Sequence, residues 1–135
     1  MTDADYQRLA GFRLLLRQFL EFSARAARAR GLTPSQHQAL LVIRALSVSG
    51  KATIADVARW LGSRHHSMVE LADRLARLGL IRRRVDPADR RRVTLVLTSK
   101  AERVLDRLSA VHLEELRRVG STLRSTLRIL GGEIR

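Results

Sequence analysis

The segment between residues 53 and 97 constrains the fold of this chain most, because it places two helices and a β-hairpin in a fixed order. A short helix over residues 53–61 and the turn Gly62-Ser63 precede a longer helix over residues 64–78. Residues 80–85 and 92–97 then predict two short strands, joined by the turn-forming stretch D-P-A-D-R-R. The hairpin follows the longer helix directly, so we expect the two to lie side by side.

Residues 4–30, on the N-terminal side, predict one long helix with two apolar stripes. One stripe contains Leu9, Phe12, Leu16, Phe19 and Ala26, and the other contains Leu15, Phe22, Ala26 and Ala29. Two apolar stripes need two surfaces to cover them. The rest of the chain can supply one, and we expect a second subunit to supply the other.

The remaining elements are helical and complete the fold class. Thr33, Pro34 and Gln36 have the spacing of a capping box, and they predict a helix that runs to residue 45 or 46. Residues 99–119 and 121–130 predict two more helices, separated at Gly120. The predicted fold is mainly α with a small β-hairpin wing, a winged helix-turn-helix with flanking helices. No linker divides it, so residues 1–135 predict a single domain.

Composition restricts the possible partners. Lys and Arg total 26 against 13 for Asp and Glu, a net charge of +13. Nucleic acid is the expected partner, because phosphate neutralises this charge and releases counterions; a basic proteome is the alternative reading.

The absence of cysteine excludes disulfides and thiolate chemistry. No apolar run has membrane-spanning length and the N-terminal residues do not resemble a secretory signal, so we expect a cytoplasmic protein without membrane contact.

The N-terminal half of the longer helix is a candidate DNA-binding element. It is almost entirely polar, which suits a major groove better than a core, although a solvated helix face is the alternative. If Met68, Ala72 and Leu75 point inward, His66 and Glu70 point outward. The predicted DNA-binding residues of this helix tip are Ser63, Arg64, His65, His66, Ser67 and Glu70.

The hairpin is the second candidate element. Three arginines lead into its turn and three lead out, and such a density of like charge is unfavourable without an anionic partner. Arg90 and Arg91 at the turn can reach a minor groove, where a narrow groove strengthens the negative potential. Asp86 and Asp89 would neutralise part of the charge.

Residues 32–98 resemble the MarR family of transcription regulators. The stretch D-P-A-D-R-R through L-T at residues 97–98 matches the family's wing pattern, and V-E-L-A-D-R-L followed by G-L-I matches its recognition helix. The resemblance implies a homodimer held by residues 4–30 and 99–131, bound to a pseudo-palindromic duplex. It also implies that His66, Ser67 and Glu70 face bases, and that Arg91, oriented by Asp89, enters the minor groove. Glu70 departs from the family pattern, in which this position is often basic or hydroxylic.

The resemblance further implies a possible small aromatic or anionic effector that releases the DNA. His37 and the arginines of the first helix are candidates to meet an anion, and Trp60 could line a crevice, but a solvated face and a packing role are the alternatives. The expected function is sequence-specific transcription regulation, with repression as the expected action. The alternative is a sequence-tolerant architectural DNA-binding protein, and a winged helix that binds only proteins is a third reading.

No enzyme is expected. The sequence has no phosphate-binding glycine loop, paired-carboxylate motif or Ser/His/Asp arrangement. His65 and His66 are neighbours, so on a helix they point about 100° apart and cannot share a metal. Folding could bring His37 and His112 together, but no pattern predicts it. We therefore expect no cofactor, no metal and no catalytic residue.

Overall fold

The computed structural model describes residues 1–131 of the chain. Its elements in order are α1 (Asp3–Ala29), α2 (Pro34–Ser47), α3 (Ile54–Leu61), α4 (His65–Arg77), β1 (Ile81–Val85), β2 (Val93–Leu97) and α5 (Ser99–Gly131). Within these residues, no helix is long and apolar enough to cross a membrane.

Threonine side chains fix the starts of the first three helices. The hydroxyl of Thr33 accepts from the backbone N–H of Gln36 at 3.1 Å, and the Gln36 side chain accepts from the N–H of Thr33 at 3.0 Å, which confirms the predicted capping box. Thr53 caps α3 by accepting from the N–H of Asp56 at 3.2 Å. The Asp56 carboxylate pairs with Arg59 at 2.6 Å and does not accept from the N–H of Thr53, so this cap lacks the second bond of a capping box.

The hairpin is a two-stranded antiparallel sheet attached to the helices at its base. Ile81 lies opposite Leu97, and Val85 lies opposite Val93 near the turn. The N–H of Leu95 donates to the carbonyl of Ala52 at 2.7 Å, which adds the segment before α3 to the edge of β2. The hydroxyl of Thr98 donates to the carbonyl of Gly79 at 2.7 Å. The base of the wing is therefore fixed, and its turn projects outward.

The core lies where α2, α3, α4, the hairpin and the first half of α5 meet. On α4, Met68, Ala72 and Leu75 are fully buried, as the inward stripe predicts. The largest fully buried side chains are Leu40, Ile43, Met68, Leu75, Ile81, Leu95, Leu108 and Val57. This core holds α4 from Met68 onward and leaves His65, His66 and Ser67 at the surface.

The predicted break at Gly120 is wrong, because α5 continues from Ser99 to Gly131 as one helix. A glycine inside a helix costs only about 1 kcal/mol relative to alanine. Residues on both sides of Gly120 favour the helix, and together they outweigh that cost.

The two sides of α1 differ from the predicted stripes. Phe12, Leu15, Phe19 and Phe22 are half-buried, whereas Leu9, Leu16 and Leu20 are exposed. Phe12 and Phe19 thus belong to the inward side with Leu15, and not with Leu9 and Leu16. The sequence pattern grouped them wrongly because residues three and four apart are neighbours on both sides of a helix. An outward apolar face nevertheless remains, as the two-surface prediction requires.

Candidate nucleic-acid interface

The first turn of α4 is built differently from the first turns of the preceding helices. Its N-cap residue is Arg64, with extended backbone angles, and no side chain of residues 1–131 caps the helix. The first turn contains no acidic residue either. The first N–H groups of a helix carry partial positive charge and need acceptors. An anion at this position would supply them.

The side chains predicted at this helix tip lie mostly at the surface. Arg64, His65, His66, Ser67 and Glu70 are exposed. Ser63 is half-buried, and its hydroxyl donates to the carbonyl of Arg64 at 3.2 Å. The structure therefore brings the predicted residues together on one end of α4, with Ser63 placed in the turn beneath it.

The wing turn is shaped by its two aspartates. The Asp86 carboxylate accepts from the N–H of Ala88 at 2.9 Å, and the Asp89 carboxylate accepts from the N–H of Arg91 at 3.1 Å. Two backbone hydrogen bonds, between Asp86 and Arg92 and between Arg92 and Asp89, close the turn at 2.9 Å each. Such side chain to backbone bonds stabilise turns without regular ladder pairing.

The same geometry leaves the turn arginines facing solvent. The Nε of Arg91 lies 3.4 Å from the Asp89 carboxylate, so the expected Asp89–Arg91 pair is present, yet the Arg91 side chain is 94% exposed. Arg90 is exposed as well. The aspartates thus orient the turn and leave most of the guanidinium surface uncovered.

Two other wing arginines have partners in the protein that the sequence analysis did not predict. Arg83 on β1 forms an ion pair with Asp73 on α4. Arg92 donates to the backbone carbonyl of Gly50, in the loop before α3. The outward position of Asp73 on α4 was one available indication, because β1 follows that helix directly. These contacts fix the wing relative to α4.

The remaining predicted candidates take different positions. The ring of Trp60 is 64% exposed, so it lies at the surface of α3. His37 is buried and does not lie on a solvated face. Its ring centroid lies 4.9 Å from that of His112, a proximity that no sequence pattern indicated. Within residues 1–131, no group of three or more metal-binding side chains occurs.

Two helices joined by a tight turn, followed by a two-stranded wing fixed against the second helix, define the winged helix-turn-helix class. The sequence profile of the MarR family matches residues 30–92, so the chain is similar to that family over most of its winged helix-turn-helix. The predicted fold class and the predicted resemblance to the MarR family are therefore confirmed.

A curated relative and solved structures agree with this assignment. An uncharacterised HTH-type transcriptional regulator, YcgE of Bacillus subtilis (strain 168), is 33% identical over 96 residues, or 70% of this chain. The alignment spans 60% of the length of that relative. A MarR family protein from Bacillus stearothermophilus has a TM-score of 0.75 at 21% identity, over 96% of this chain and 95% of its own.

Staphylococcus aureus MepR in complex with DNA has a TM-score of 0.68 at 21% identity, over 88% of this chain and 90% of its own. MepR has also been solved bound to ethidium bromide, with a TM-score of 0.64 at 22% identity, over 90% of this chain and 83% of its own. By their names these proteins are transcription regulators or MarR family members and not enzymes, in agreement with the prediction.

Proposed function

We propose that this protein is a sequence-specific DNA-binding transcription regulator that acts as a homodimer. The observation that carries the proposal is the fixed pairing of two cationic surfaces. No side chain in the described part of the chain caps the tip of α4, which begins at Arg64, and the wing that carries Arg90 and Arg91 is tied to the same helix. A single rigid unit thus offers two places where DNA can bind.

The tip of α4 suits a major groove. The groove admits an α-helix and displays a distinct set of donors and acceptors for each base pair. His66, Ser67 and Glu70 are exposed at this end and offer both donors and acceptors to base edges. A carboxylate at Glu70 can accept from the amino group of cytosine. The uncapped N–H groups beside them favour a phosphate oxygen.

The wing suits the adjacent minor groove. Arg90 and Arg91 project from a narrow turn, and Arg91 keeps one weak carboxylate contact that orients its side chain. Arginine inserted into a narrow minor groove gains from the enhanced negative potential there. Arg82 and Arg84 are exposed along β1 and share one face of that strand, where they can contact phosphates.

The homodimer accounts for the outward apolar face of α1. Leu9, Leu16 and Leu20 are exposed on that helix, and Leu113 and Leu116 are exposed on α5. Apolar surface of this kind marks an interaction site when it is contiguous. We propose that α1 and α5 form the dimer interface and that residues 32–98 form the DNA-binding unit. Twofold symmetry then requires a pseudo-palindromic site.

Selection of bound genomic fragments tests this function. The purified protein is incubated with sheared DNA from its source genome at physiological salt, and bound fragments are sequenced. The proposal predicts a recurring inverted repeat, with half-sites about one helical turn apart, in regions upstream of genes. Fragments without a shared motif would favour the sequence-tolerant architectural alternative and contradict the proposal.

Repression and release by a small effector complete the proposal. MepR has been solved both with DNA and with ethidium bromide, so a protein of this fold can hold either ligand. We propose a small aromatic or anionic effector for this chain. A library of such compounds, added to a preformed complex with a selected fragment, should contain molecules that lower DNA affinity at concentrations that leave the unfolding temperature intact or raise it.

A further inference from the structure

A pair of histidines lies at the junction between the DNA-binding unit and the α1–α5 helices. His37 is in the first turn of α2, and His112 is in the middle of α5. Their ring centroids are 4.9 Å apart, and the ring planes are inclined by 49°. The pair therefore joins an element of the winged unit to a helix of the proposed dimer interface.

His112 has hydrogen-bond partners at both ring nitrogens. Nδ1 contacts the carbonyl of Leu108, which accepts only, so Nδ1 carries a hydrogen. Nε2 lies 2.7 Å from the hydroxyl of Ser23 on α1. A hydroxyl can donate or accept, so this bond persists whether Nε2 is bare or protonated. The rings of Phe19 and Phe22 make T-shaped contacts with the ring of His112, at centroid distances of 5.8 and 5.5 Å. Both ring nitrogens of His112 thus have hydrogen-bond partners.

Protonation of His37 is costly at its position. Its side chain is only 4% exposed, and its Nδ1 is buried without a hydrogen-bond partner among the described residues. A buried cation without a partner pays a large desolvation penalty. Burial, and then the nearby charge of His112, lower the pKa of His37 below its ordinary value.

No carboxylate offsets this effect among the residues that the structure describes. Of the charged groups on the elements around the pair, His112 is the one whose charge affects the pKa of His37. Glu115, one turn further along α5, hydrogen-bonds to Arg118 and also lies near Arg25 of α1. Arg44 of α2 pairs with Glu102 of α5 at 3.3 Å, two turns away from His37 along α2. Both carboxylates are thus engaged by arginines, and neither contributes to the pKa of His37.

We propose that His37 and His112 form a proton-sensitive joint, which loosens when His37 is protonated and thereby weakens DNA binding. A proton on His37 would place a positive charge on a buried ring that lies against His112 and whose Nδ1 has no partner among the described residues, so α2 must move away from α5 to hydrate His37. Because α2 belongs to the DNA-binding unit, this movement changes how the two units of a dimer are spaced. The effect on DNA rests on the proposed function, whereas the effect on folding does not.

The sign follows from proton linkage. The unfolded chain binds a proton at His37 near the ordinary pKa of about 6.5, whereas the folded chain binds it only at lower pH. The stability contributed by neutral His37 is therefore complete above about pH 6.5 and decreases as the pH falls through that value. Between about pH 7.5 and pH 5.5, linkage raises the unfolding equilibrium constant by up to about tenfold.

The folding measurement compares urea unfolding of the full chain with that of His37→Phe at one fixed protein concentration. As the pH falls over this range, the unfolding equilibrium constant of the wild type should rise by up to about tenfold more than that of His37→Phe. His65→Gln, which removes an exposed histidine, should keep the wild-type pH dependence.

Histidine proton NMR of the wild type provides a second measurement that needs no variant. Protonation of His37 should occur below its ordinary pKa and coincide with shifts of the amides around Ser23. Titration of His37 near pH 6.5 without such shifts would overturn the joint.

The DNA measurement uses a duplex from the genomic selection, at one salt concentration and at the same two pH values. His65 and His66 are present in both proteins, so their contribution cancels in the comparison. The wild type should lose more affinity than His37→Phe on acidification, up to about tenfold if the loosened joint restores the ordinary pKa of His37. An equal change in both proteins would overturn the joint. Absence of binding by either protein at the higher pH would instead contradict the proposed function.

Discussion

The arginines of the wing differ in role although they are alike in type. Arg83 and Arg92 have partners within the protein, on α4 and at Gly50, and these contacts fix the wing. Arg90 and Arg91 project from the turn, and Asp86 and Asp89 use their carboxylates mainly to accept backbone N–H bonds. An arginine that pairs with another part of the protein positions the wing, whereas an arginine that faces solvent at the turn is a candidate DNA contact.

Arg91 gives the first prediction at this scale. Arg91→Ala should weaken binding to a selected duplex by about 1–3 kcal/mol, because one arginine contact in a groove is lost. The free energy of unfolding should change little, because the Asp89 contact is exposed and long. Fluorescence anisotropy with a labelled duplex measures the affinity, and urea unfolding measures the stability.

Arg107→Ala is the matched control for this charge. Arg107 is an exposed arginine of α5, and that helix starts beside the C-terminal end of α4, where Lys100 donates to the carbonyl of Leu78 at 3.1 Å. The start of α5, about two turns before Arg107, therefore lies at the end of α4 opposite its tip. Equal losses for Arg91→Ala and Arg107→Ala would mean that only net charge matters, and the wing assignment would be wrong.

His66 tests base recognition and not affinity alone. His66→Ala should change which base pairs are preferred within a half-site, because we propose that this exposed side chain at the helix tip reads base edges. Binding to random DNA should change less. A panel of duplexes with single base-pair changes measures the preference. A uniform loss across the panel would place His66 on the backbone instead.

Two glycines show, at the scale of elements, what backbone geometry adds to a sequence pattern. Gly79 follows α4 with a φ of +71°, where a side chain is strained, whereas Gly120 lies inside α5 with open space around the position of a Cβ. Gly120→Ala should raise the free energy of unfolding by about 0.5–1 kcal/mol. Gly79→Ala should lower it by about 1 kcal/mol. Urea unfolding checks both, and a destabilised Gly120→Ala would contradict an uninterrupted α5.

The elements that sequence predicted well are those fixed by local chemistry. The start of α2 follows from Thr33 and Gln36, and the inward face of α4 follows from the spacing of Met68, Ala72 and Leu75. The hairpin follows from its turn residues and from β-branched residues in β2.

What sequence could not predict depends on packing between distant residues. Asp73 and Arg83 meet only because the wing folds back on α4, and His37 meets His112 only because α2 packs against α5. The continuity of α5 through Gly120 was missed because a small local cost is offset by the whole helix. Local propensity is a weak guide where tertiary contacts decide.

The whole molecule combines a large positive charge with an outward apolar face. A charge of +13 favours a polyanion, and the exposed leucines of α1 and α5 favour a second copy of the chain. A twofold dimer presents each leucine twice, so one substitution removes two contacts. The two features predict separable functions: the positive charge serves DNA binding, and the apolar face serves association.

Substitutions on α1 test the association. Leu16→Asp or Leu20→Asp should raise the dimer dissociation constant by about a hundredfold or more, because two leucines lose burial worth about 1.5–3 kcal/mol each. Leu14→Asp is the matched control, since Leu14 is 43% exposed and points about 200° away from Leu16 on the helix. Analytical ultracentrifugation measures the mass. Dissociation by all three variants alike, or by none, would contradict an interface on this face.

Competition binding tests the central claim most directly, namely that the tip of α4 and the wing together read a DNA sequence. A selected duplex is compared with a scrambled duplex of the same length and composition, over a range of salt concentrations. We predict a preference of about a thousandfold or more for the selected duplex at physiological salt, with both affinities falling as salt rises. Equal affinities for the two duplexes at every salt concentration would contradict the account.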